Sequence, residues 1–504
     1  MKSKTSSQCN SLSISALLCH TNFTFADMWK RFWFGALFVS ILLSMLSSCK
    51  DDNTFFTDTD ANLNFSSDTV FFDTVFTSSM PRIPLSVNHQ FVVVNPYSEA
   101  VKTNFRLSGG SNSVFRINVD GEVGPEVNDI EIGGNDSVFV FVELSIDPNN
   151  DPQSLPLIVR DSIEISTNGN QQNVQLIAWG QDGHYFLRDT VCNETLDDKL
   201  KPYVVHGYLY VPENCTLTIK EGVKMHFAPR SWLYVEGTLI IEGTKDEKVK
   251  FEGDRLQPQF EEVAGQWGGI WLDYLSKGNQ IKHAEIKNGT VGIYCDSSDI
   301  QTVQNATPNV TVENTEVRNM SFDGLSGKTA YIKATNSVFT NCGRYTFLGL
   351  WGGRYDLKHC NFTTYNFDFS RREPTFALNN VQINEFFQIT GIFRTVYDIQ
   401  NCIVDGGLQE ELSLGIFKNV PDQAFFGDTL FNNNLVRTER KFVGEHINNK
   451  VNISPAFVDV LKHDYHLEAS SGAIDIGASL GVTRDFDEAL RNGTPDAGAF
   501  EYKP

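Results

Sequence analysis

The sequence predicts an all-β protein, a β-sandwich followed by a parallel β-helix with a C-terminal cap. Three observations carry that prediction. Phe (38) and Gly (38) are abundant and Met (6) is scarce, a balance that favours strands and turns over helices. Between residues 62 and 182, short alternating segments are separated by turn dipeptides. Beyond about residue 203, one eight-residue phrase recurs with a period near 22. The 504 residues carry 41 Lys+Arg against 62 Asp+Glu, a formal charge of -21. Such acidity argues against a nucleic-acid partner, which needs a basic face.

The long apolar run from Phe32 to Leu46 is too short for a spanning helix, which needs roughly 20 residues. It follows Met28-Trp29-Lys30-Arg31 and precedes Leu46-Ser47-Ser48-Cys49. A basic start, a short apolar core and small residues before a cleavage point describe a secretory signal over 28–48. The Leu-Ser-Ser-Cys junction resembles that of bacterial lipoproteins, and the resemblance implies acylation, palmitate included, at Cys49. Two or more acyl chains anchor a protein stably where one is marginal. Lys50-Asp51-Asp52 resembles the acidic tag with which some Gram-negative bacteria send lipoproteins to the outer face of the outer membrane. Residues 1–27 fit no part of a signal and read as a non-native extension, with Met28 as the start. Residues 49–61 are the lipidated Cys and a polar tether.

Residues 62–182 offer seven candidate strands: Thr69–Thr77, Phe91–Asn95, Val101–Leu107, Val114–Val119, Val138–Ile146, Ser162–Thr167 and Val174–Trp179. Alternation is plain in Val138-Phe139-Val140-Phe141-Val142. Asn95-Pro96, Asp120-Gly121 and Asn168-Gly169 are among the turns between them. Seven strands at this spacing fit an antiparallel sandwich. The stretch resembles the immunoglobulin-like modules found between a lipoprotein anchor and a larger body.

In the region 183–452 the repeated phrase begins at Ile281, Val312, Ala334, Leu357 and Ile399. These apolar residues point inward. Three residues on come Ala284, Thr315, Ser337, Cys360 and Cys402, and two further on the anchors Ile286, Val317, Phe339, Phe362 and Val404. A gap of three followed by a gap of two breaks strand alternation once, so a tight bend lies inside the phrase. The bend residues are His283, Asn314, Asn336, His359 and Asn401. Asn tolerates the left-handed backbone such a bend needs, and stacked Asn side chains can form a ladder. Anchor spacings are 31, 22, 23 and 42. The first reads as one period plus an insertion and the last as two periods, which would put Cys360 and Cys402 two coils apart, too far to bridge. Strand, bend, strand at this period is one coil of a parallel β-helix. Leu217–Ile219, Leu233–Val235 and Leu239–Ile241 read as earlier coils.

The phrase Gly265-Gln266-Trp267-Gly268-Gly269-Ile270 resembles a coil phrase of right-handed β-helix proteins. Four tail phrases also occur in order: Ser454-Pro455-Ala456-Phe457-Val458-Asp459, Asp464-Tyr465-His466-Leu467, Ala473-Ile474-Asp475-Ile476-Gly477 and Pro495-Asp496-Ala497-Gly498-Ala499-Phe500-Glu501-Tyr502. They resemble the closing segment of right-handed parallel β-helix repeat surface lipoproteins of Gram-negative bacteria. That resemblance implies a right-handed solenoid, with 453–504 capping its open end.

The catalytic phrases of galacturonase-type enzymes, clustered carboxylates and Gly-His-Gly, do not occur at suitable places. Arg344, Arg354, Lys358, Arg371 and Arg372 fall in successive coils and would line a wall. Tyr345, Trp351 and Tyr355 lie near them and would stack on sugars. The candidate binding residues are therefore Arg344, Tyr345, Trp351, Arg354 and Tyr355, with no catalytic or metal-ligating residue assigned. His463, Asp464 and His466 read as part of a tail phrase rather than as a metal site, and Asp485, Asp487 and Asp496 read as turn acceptors. Cys192 and Cys215 flank the first coil and would pair in an oxidising compartment. The function expected is non-catalytic binding of a glycan or matrix by a monomeric, lipid-anchored surface protein without a cofactor. The alternatives are a calcium-dependent polysaccharide lyase or other glycan-active enzyme, and a purely structural surface component.

Overall fold

The computed structural model describes residues 54–76, 87–144, 157–296, 307–365, 370–386, 388–416, 426–442, 447–491 and 493–504. The expected signal segment 28–48, Cys49 and Lys50-Asp51-Asp52 lie outside them. The described residues are strands and turns, with helical structure confined to short 3-10 pieces such as Val460–Lys462.

Residues 64–181 form two five-stranded sheets. One orders Asn64–Phe65, Val87–Val94, Ser137–Leu144, Phe115–Val119 and Glu122–Gly124; the other orders Thr69–Phe76, Asn170–Gln181, Leu157–Thr167, Val101–Leu107 and Glu126–Ile132. Inward residues of both, Phe72, Phe91, Phe105, Phe115, Val140 and Leu176 among them, share one core. All seven expected strands are present, and three short or polar ones went unread. Two turn dipeptides act as two-residue hairpins require. Asp120-Gly121 and Asn168-Gly169 have positive φ throughout and join neighbouring strands. One expectation is corrected: the unit is not wholly antiparallel. Thr69–Phe76 pairs in parallel with Asn170–Gln181, since no hairpin dictates the direction of strands a hundred residues apart.

From His184 onward the chain winds into a parallel stack with three faces. The first face contains Glu194–Leu196, Thr216–Lys220, Thr238–Glu242, Asn279–Lys282, Val310–Glu313, Tyr331–Thr335, Gly353–Lys358, Thr395–Gln400 and Phe426–Asn432. Its neighbours pair in parallel, as Val310–Glu313 does with Tyr331–Thr335. The second face includes Lys224–Phe227, Val249–Gly253, Ala284–Lys287, Glu316–Arg318, Val338–Thr340, Asn361–Thr364 and Ile403–Gly406. The third includes Trp232–Val235, Gly269–Leu272, Ile293–Cys295, Leu325–Lys328, Phe347–Leu350, Phe376–Asn379 and Leu412–Gly415. Tyr203–Val211 turns a corner, pairing with strands of two faces.

Register follows the repeat. Ile286 pairs with Val317, Val317 with Phe339, Phe339 with Phe362 and Phe362 with Val404. All five anchors are fully buried. Like side chains stack on like: the Phe339 and Phe362 rings lie 5.2 Å apart and nearly parallel. The small inward column is satisfied locally. Thr315 Oγ1 donates to Glu313 O at 2.9 Å and Ser337 Oγ to Thr335 O at 2.9 Å, and each accepts the backbone N–H of the coil before. The bend residues His283, Asn314, Asn336, His359 and Asn401 all have φ between 46° and 56°, the left-handed backbone the repeat demanded. Gly269, at φ 142°, approaches Val291 O so closely that an added Cβ would lie 2.0 Å from it.

The 42-residue spacing is a single coil, not two. Leu357 pairs with Ile399 directly, so Cys360 and Cys402 occupy adjacent coils. Part of the excess is a hairpin, Val381–Ile383 with Ile389–Ile392, that leaves the stack. Periodicity measures chain length, and an excursion from the stack lengthens the chain without adding a coil.

The tail's described contacts are with the flank of the stack. Residues 457–491 and 493–501 run along the flank, against the corner between the first and second faces. Asn433 Nδ2 donates to Ile476 O (2.8 Å), Asn401 Nδ2 to Ala478 O (2.7 Å), Asn336 Nδ2 to Arg484 O (2.7 Å) and Asn314 Nδ2 to Phe486 O (3.0 Å). His283 Nε2 lies 3.2 Å from Glu488. Tyr465 is buried, its hydroxyl on Thr340 Oγ1 at 2.5 Å. The expected ladder of bend side chains is thus replaced by a strap that His283, Asn314, Asn336 and Asn401 grip, while His359 meets Asn401 at 2.9 Å. A ladder does form where the phrase ends: Asn319 Nδ2 donates to Asn288 Oδ1 at 2.7 Å.

Candidate functional site

The five expected binding residues do not form one wall. Arg344 is engaged by Asp323 through two bonds of 2.8 and 2.5 Å, its guanidinium 3.9 Å over Phe322 and 5.1 Å over Tyr345. Arg354 lies on the first face, 3.2 Å from Asp356 and over the Tyr331 ring. Trp351 occupies the turn between third and first faces at φ 54° and stacks on Phe393 at 6.0 Å. Tyr355 is fully buried, its hydroxyl donating to Gly352 O at 2.6 Å, so it has no free ring face for a sugar. Eleven residues are half a coil, so neighbours in sequence are distributed around the perimeter. Of the other cations, Lys358 lies 3.2 Å from Asp398. Arg371 is buried against Glu411, and Arg372 is exposed.

The third face does present a continuous feature. Its strands alternate inward aliphatics with outward aromatics: Tyr208-Leu209-Tyr210-Val211, Trp232-Leu233-Tyr234-Val235 and Ile270-Trp271-Leu272, followed by Tyr294. Leu209, Val211, Leu233, Val235, Ile270 and Leu272 line the core. Parallel register puts Tyr210, Tyr234, Trp271 and Tyr294 in one outward column. The Tyr234 and Trp271 rings are 6.1 Å apart, and Trp271 and Tyr294 are 4.6 Å apart. Trp232 closes one side, 5.8 Å from Tyr234 and 6.0 Å from Trp271. Gly268 makes room for it, since a Cβ there would lie 2.2 Å from the indole. At about 4.8 Å per coil, four rings extend along the rod for roughly 14 Å.

A column of carboxylates borders these rings. Glu236, Asp273 and Asp296 each donate their backbone N–H to the preceding coil, at Val211 O, Val235 O and Leu272 O (2.8–2.9 Å), which fixes them in register. Tyr210 donates its hydroxyl to Glu236, and that bond, with burial and the nearby Asp273, pushes the phenol up to about 12. Burial, with Asp296 adding, holds Tyr294 at about 12 as well. Both phenols therefore stay protonated donors at neutral pH. Lys328, the next residue along this column, lies 2.8 Å from Asp296.

Cys192 and Cys215 form a disulfide, with Cα atoms 4.7 Å apart, that closes the first coil. Cys295, Cys342, Cys360 and Cys402 are buried thiols. His466 lies between Asp464 (2.6 Å) and Asp487 (2.7 Å). Asp485 accepts Ala489 N and Glu501 N, and Asp496 accepts Asp475 N and Tyr502 N. These aspartates shape the strap.

The aromatic column was open to sequence reading. Leu233-Tyr234-Val235 reads as a strand from its sequence, and its outward Tyr234 belongs to this column. The signal is a period of two in which every second residue is aromatic, repeated at a coil's distance.

No protein-family model matches the chain, and no curated protein matches it. Solved structures do match. A family 123 glycoside hydrolase from Clostridium perfringens is 12% identical with a TM-score of 0.18, over 24% of this chain and 27% of that one. This chain therefore spans about a quarter of that protein's length. The PapD-like domain 7 of human CEP192 is 7% identical with a TM-score of 0.17, over 26% of this chain and 92% of that one. The catalytic unit of a GH87 alpha-1,3-glucanase from Streptomyces thermodiastaticus strain HF3-3 is 9% identical with a TM-score of 0.20, over 70% of this chain and 75% of that one. At these scores none carries an argument about function.

Proposed function

We propose that this protein is a glycan-binding surface lipoprotein whose binding surface is the third face of its solenoid. The observation that carries the reading is the outward column Tyr210, Tyr234, Trp271 and Tyr294, in register on four adjacent coils. Aromatic faces stack on the apolar faces of sugars and cost little conformational entropy, and tyrosine adds a polar edge. A rigid stack holds the rings in place before any ligand arrives, which reduces the ordering cost of binding. In this reading the two-sheet unit is an immunoglobulin-like spacer and Cys49 carries the lipid that holds the protein at the outer membrane. The test is retention on immobilised polysaccharides. Trp271→Ala should weaken retention at least tenfold while the thermal unfolding midpoint stays within a few degrees. Unchanged retention would remove the column from consideration. For the anchor, Cys49→Ala should release the protein from the membrane fraction and abolish fatty-acid labelling; persistent labelling would defeat the lipoprotein assignment.

A second reading, a glycan-active enzyme, has one observation behind it: the carboxylates Glu236, Asp273 and Asp296 beside the rings. Glycoside cleavage uses paired carboxyl groups. Release of reducing ends by the intact protein, lost in Asp273→Asn, would establish it.

A further inference from the structure

The charge pattern of the third face narrows the class of glycan. Resting on the binding role just proposed, we infer that the ligand is an extended polysaccharide without acidic groups, lying parallel to the rod axis. Direction follows from the column. Tyr210, Tyr234, Trp271 and Tyr294 are stacked coil upon coil, so ring faces succeed one another along the axis and not along a strand. A ligand using all of them must be long in that direction, as linked sugar rings are.

Charge follows from the neighbouring column. Glu236, Asp273 and Asp296 run beside the rings for the same length. Their partners within the face are a tyrosine hydroxyl for Glu236 and the Lys328 ammonium for Asp296. Lys328 and Asp296 balance each other, so the net negative charge of the column rests on Glu236 and Asp273, and Lys328 also lies 5.3 Å over the Trp351 ring. The column supplies acceptors for hydroxyl groups, and the tyrosines supply donors. Uronate or sulfate groups placed here would meet carboxylates, and like charges brought together while being desolvated are strongly disfavoured. The chain as a whole, at -21, adds to that repulsion. The site therefore accepts through stacking and rejects through charge, which is how specificity is built when stacking itself is indifferent to the sugar.

The experiment is affinity electrophoresis of the intact protein against dextran, a mannan and xyloglucan as uncharged probes, and polygalacturonate and alginate as acidic ones, at low salt. At least one uncharged polymer should retard the protein, and neither acidic one should. Affinity for the fragments of that polymer should rise with fragment length until the column is covered. A Glu236→Gln, Asp273→Asn, Asp296→Asn variant should gain measurable retardation by polygalacturonate. Two outcomes overturn the inference while leaving the binding role intact: equal retardation by acidic polymers in the unaltered protein, or a triple variant with undiminished discrimination. Absence of retardation by every polymer, or retention indifferent to Trp271→Ala, would overturn the binding role as well.

Discussion

Asn336 shows how much one side chain settles. Its backbone is left-handed at φ 48°. Its amide donates to Arg484 O at 2.7 Å, and its Oδ1 accepts from Arg491 at 3.1 Å. Asn336→Leu should cost about 1–3 kcal/mol from lost partners, with a further 1–2 kcal/mol or so from the left-handed backbone. Asn336→Gly should keep the bend and lose only the grip on the strap. Chemical denaturation of the two variants separates the terms, and equal losses would refute the division. The bends were readable because the left-handed region admits few residue types, and a column of Asn and His announces it. Their partners were not. Arg484 is 148 residues from Asn336, and no local pattern encodes a contact at that separation.

Among the elements, the disulfide and the long coil teach opposite lessons. Cys192 and Cys215 flank the first coil, which made a bond between them the expectation, and they are bonded across a separation of 23 residues, about one period. Replacing both by Ser should lower stability by about 2–4 kcal/mol, measured as the shift in denaturation midpoint at unchanged slope. The 42-residue coil defeated the same reasoning, because a hairpin outside the stack consumed residues that spacing counted as a coil. Phe362 supports the corrected register, fully buried between Phe339 and Val404. Phe362→Ala should cost about 3–5 kcal/mol. The aromatic column of the third face was hidden for a different reason: its residues belong to four coils, and only the register brings them together.

At the scale of the molecule, the buried histidines set the response to acid. Burial pushes His206 down to about 4, and burial with nearby Arg491 pushes His359 down to about 3. Burial lowers His226 and His283 as well. The unfolded chain takes up protons at these groups below about pH 6.5, and the folded chain does not. Stability therefore falls as pH drops from about 6.5 toward 4. Glu262, held at about 2 by bonds from His463 and Arg318 despite its burial, adds a further loss below its ordinary range. His466, raised mainly by Asp487, acts in the opposite sense, stabilising below about 6.5 and losing that contribution as pH rises through its elevated value. His359→Asn should flatten the acid slope, because Asn suits the same bend and can accept the Asn401 amide. An unaltered slope between pH 6.5 and 4 would exclude His359 as a contributor.

The strap has a consequence for how the chain is made. Asn314 is bonded to Asp485 and Phe486, some 171 residues later. Contacts this distant slow folding, because loop closure must precede their reward. During synthesis the corner residues His283, Asn314 and Asn336 are complete long before the segment that grips them. Until then the flank stays uncovered, with buried-type groups such as Arg318 in water. A polypeptide interrupted just after residue 452 would carry the described coils and still lack its fastening. Proteases that sample open states should therefore remove prematurely terminated chains and spare finished ones, so the molecule contains its own test of having been completed.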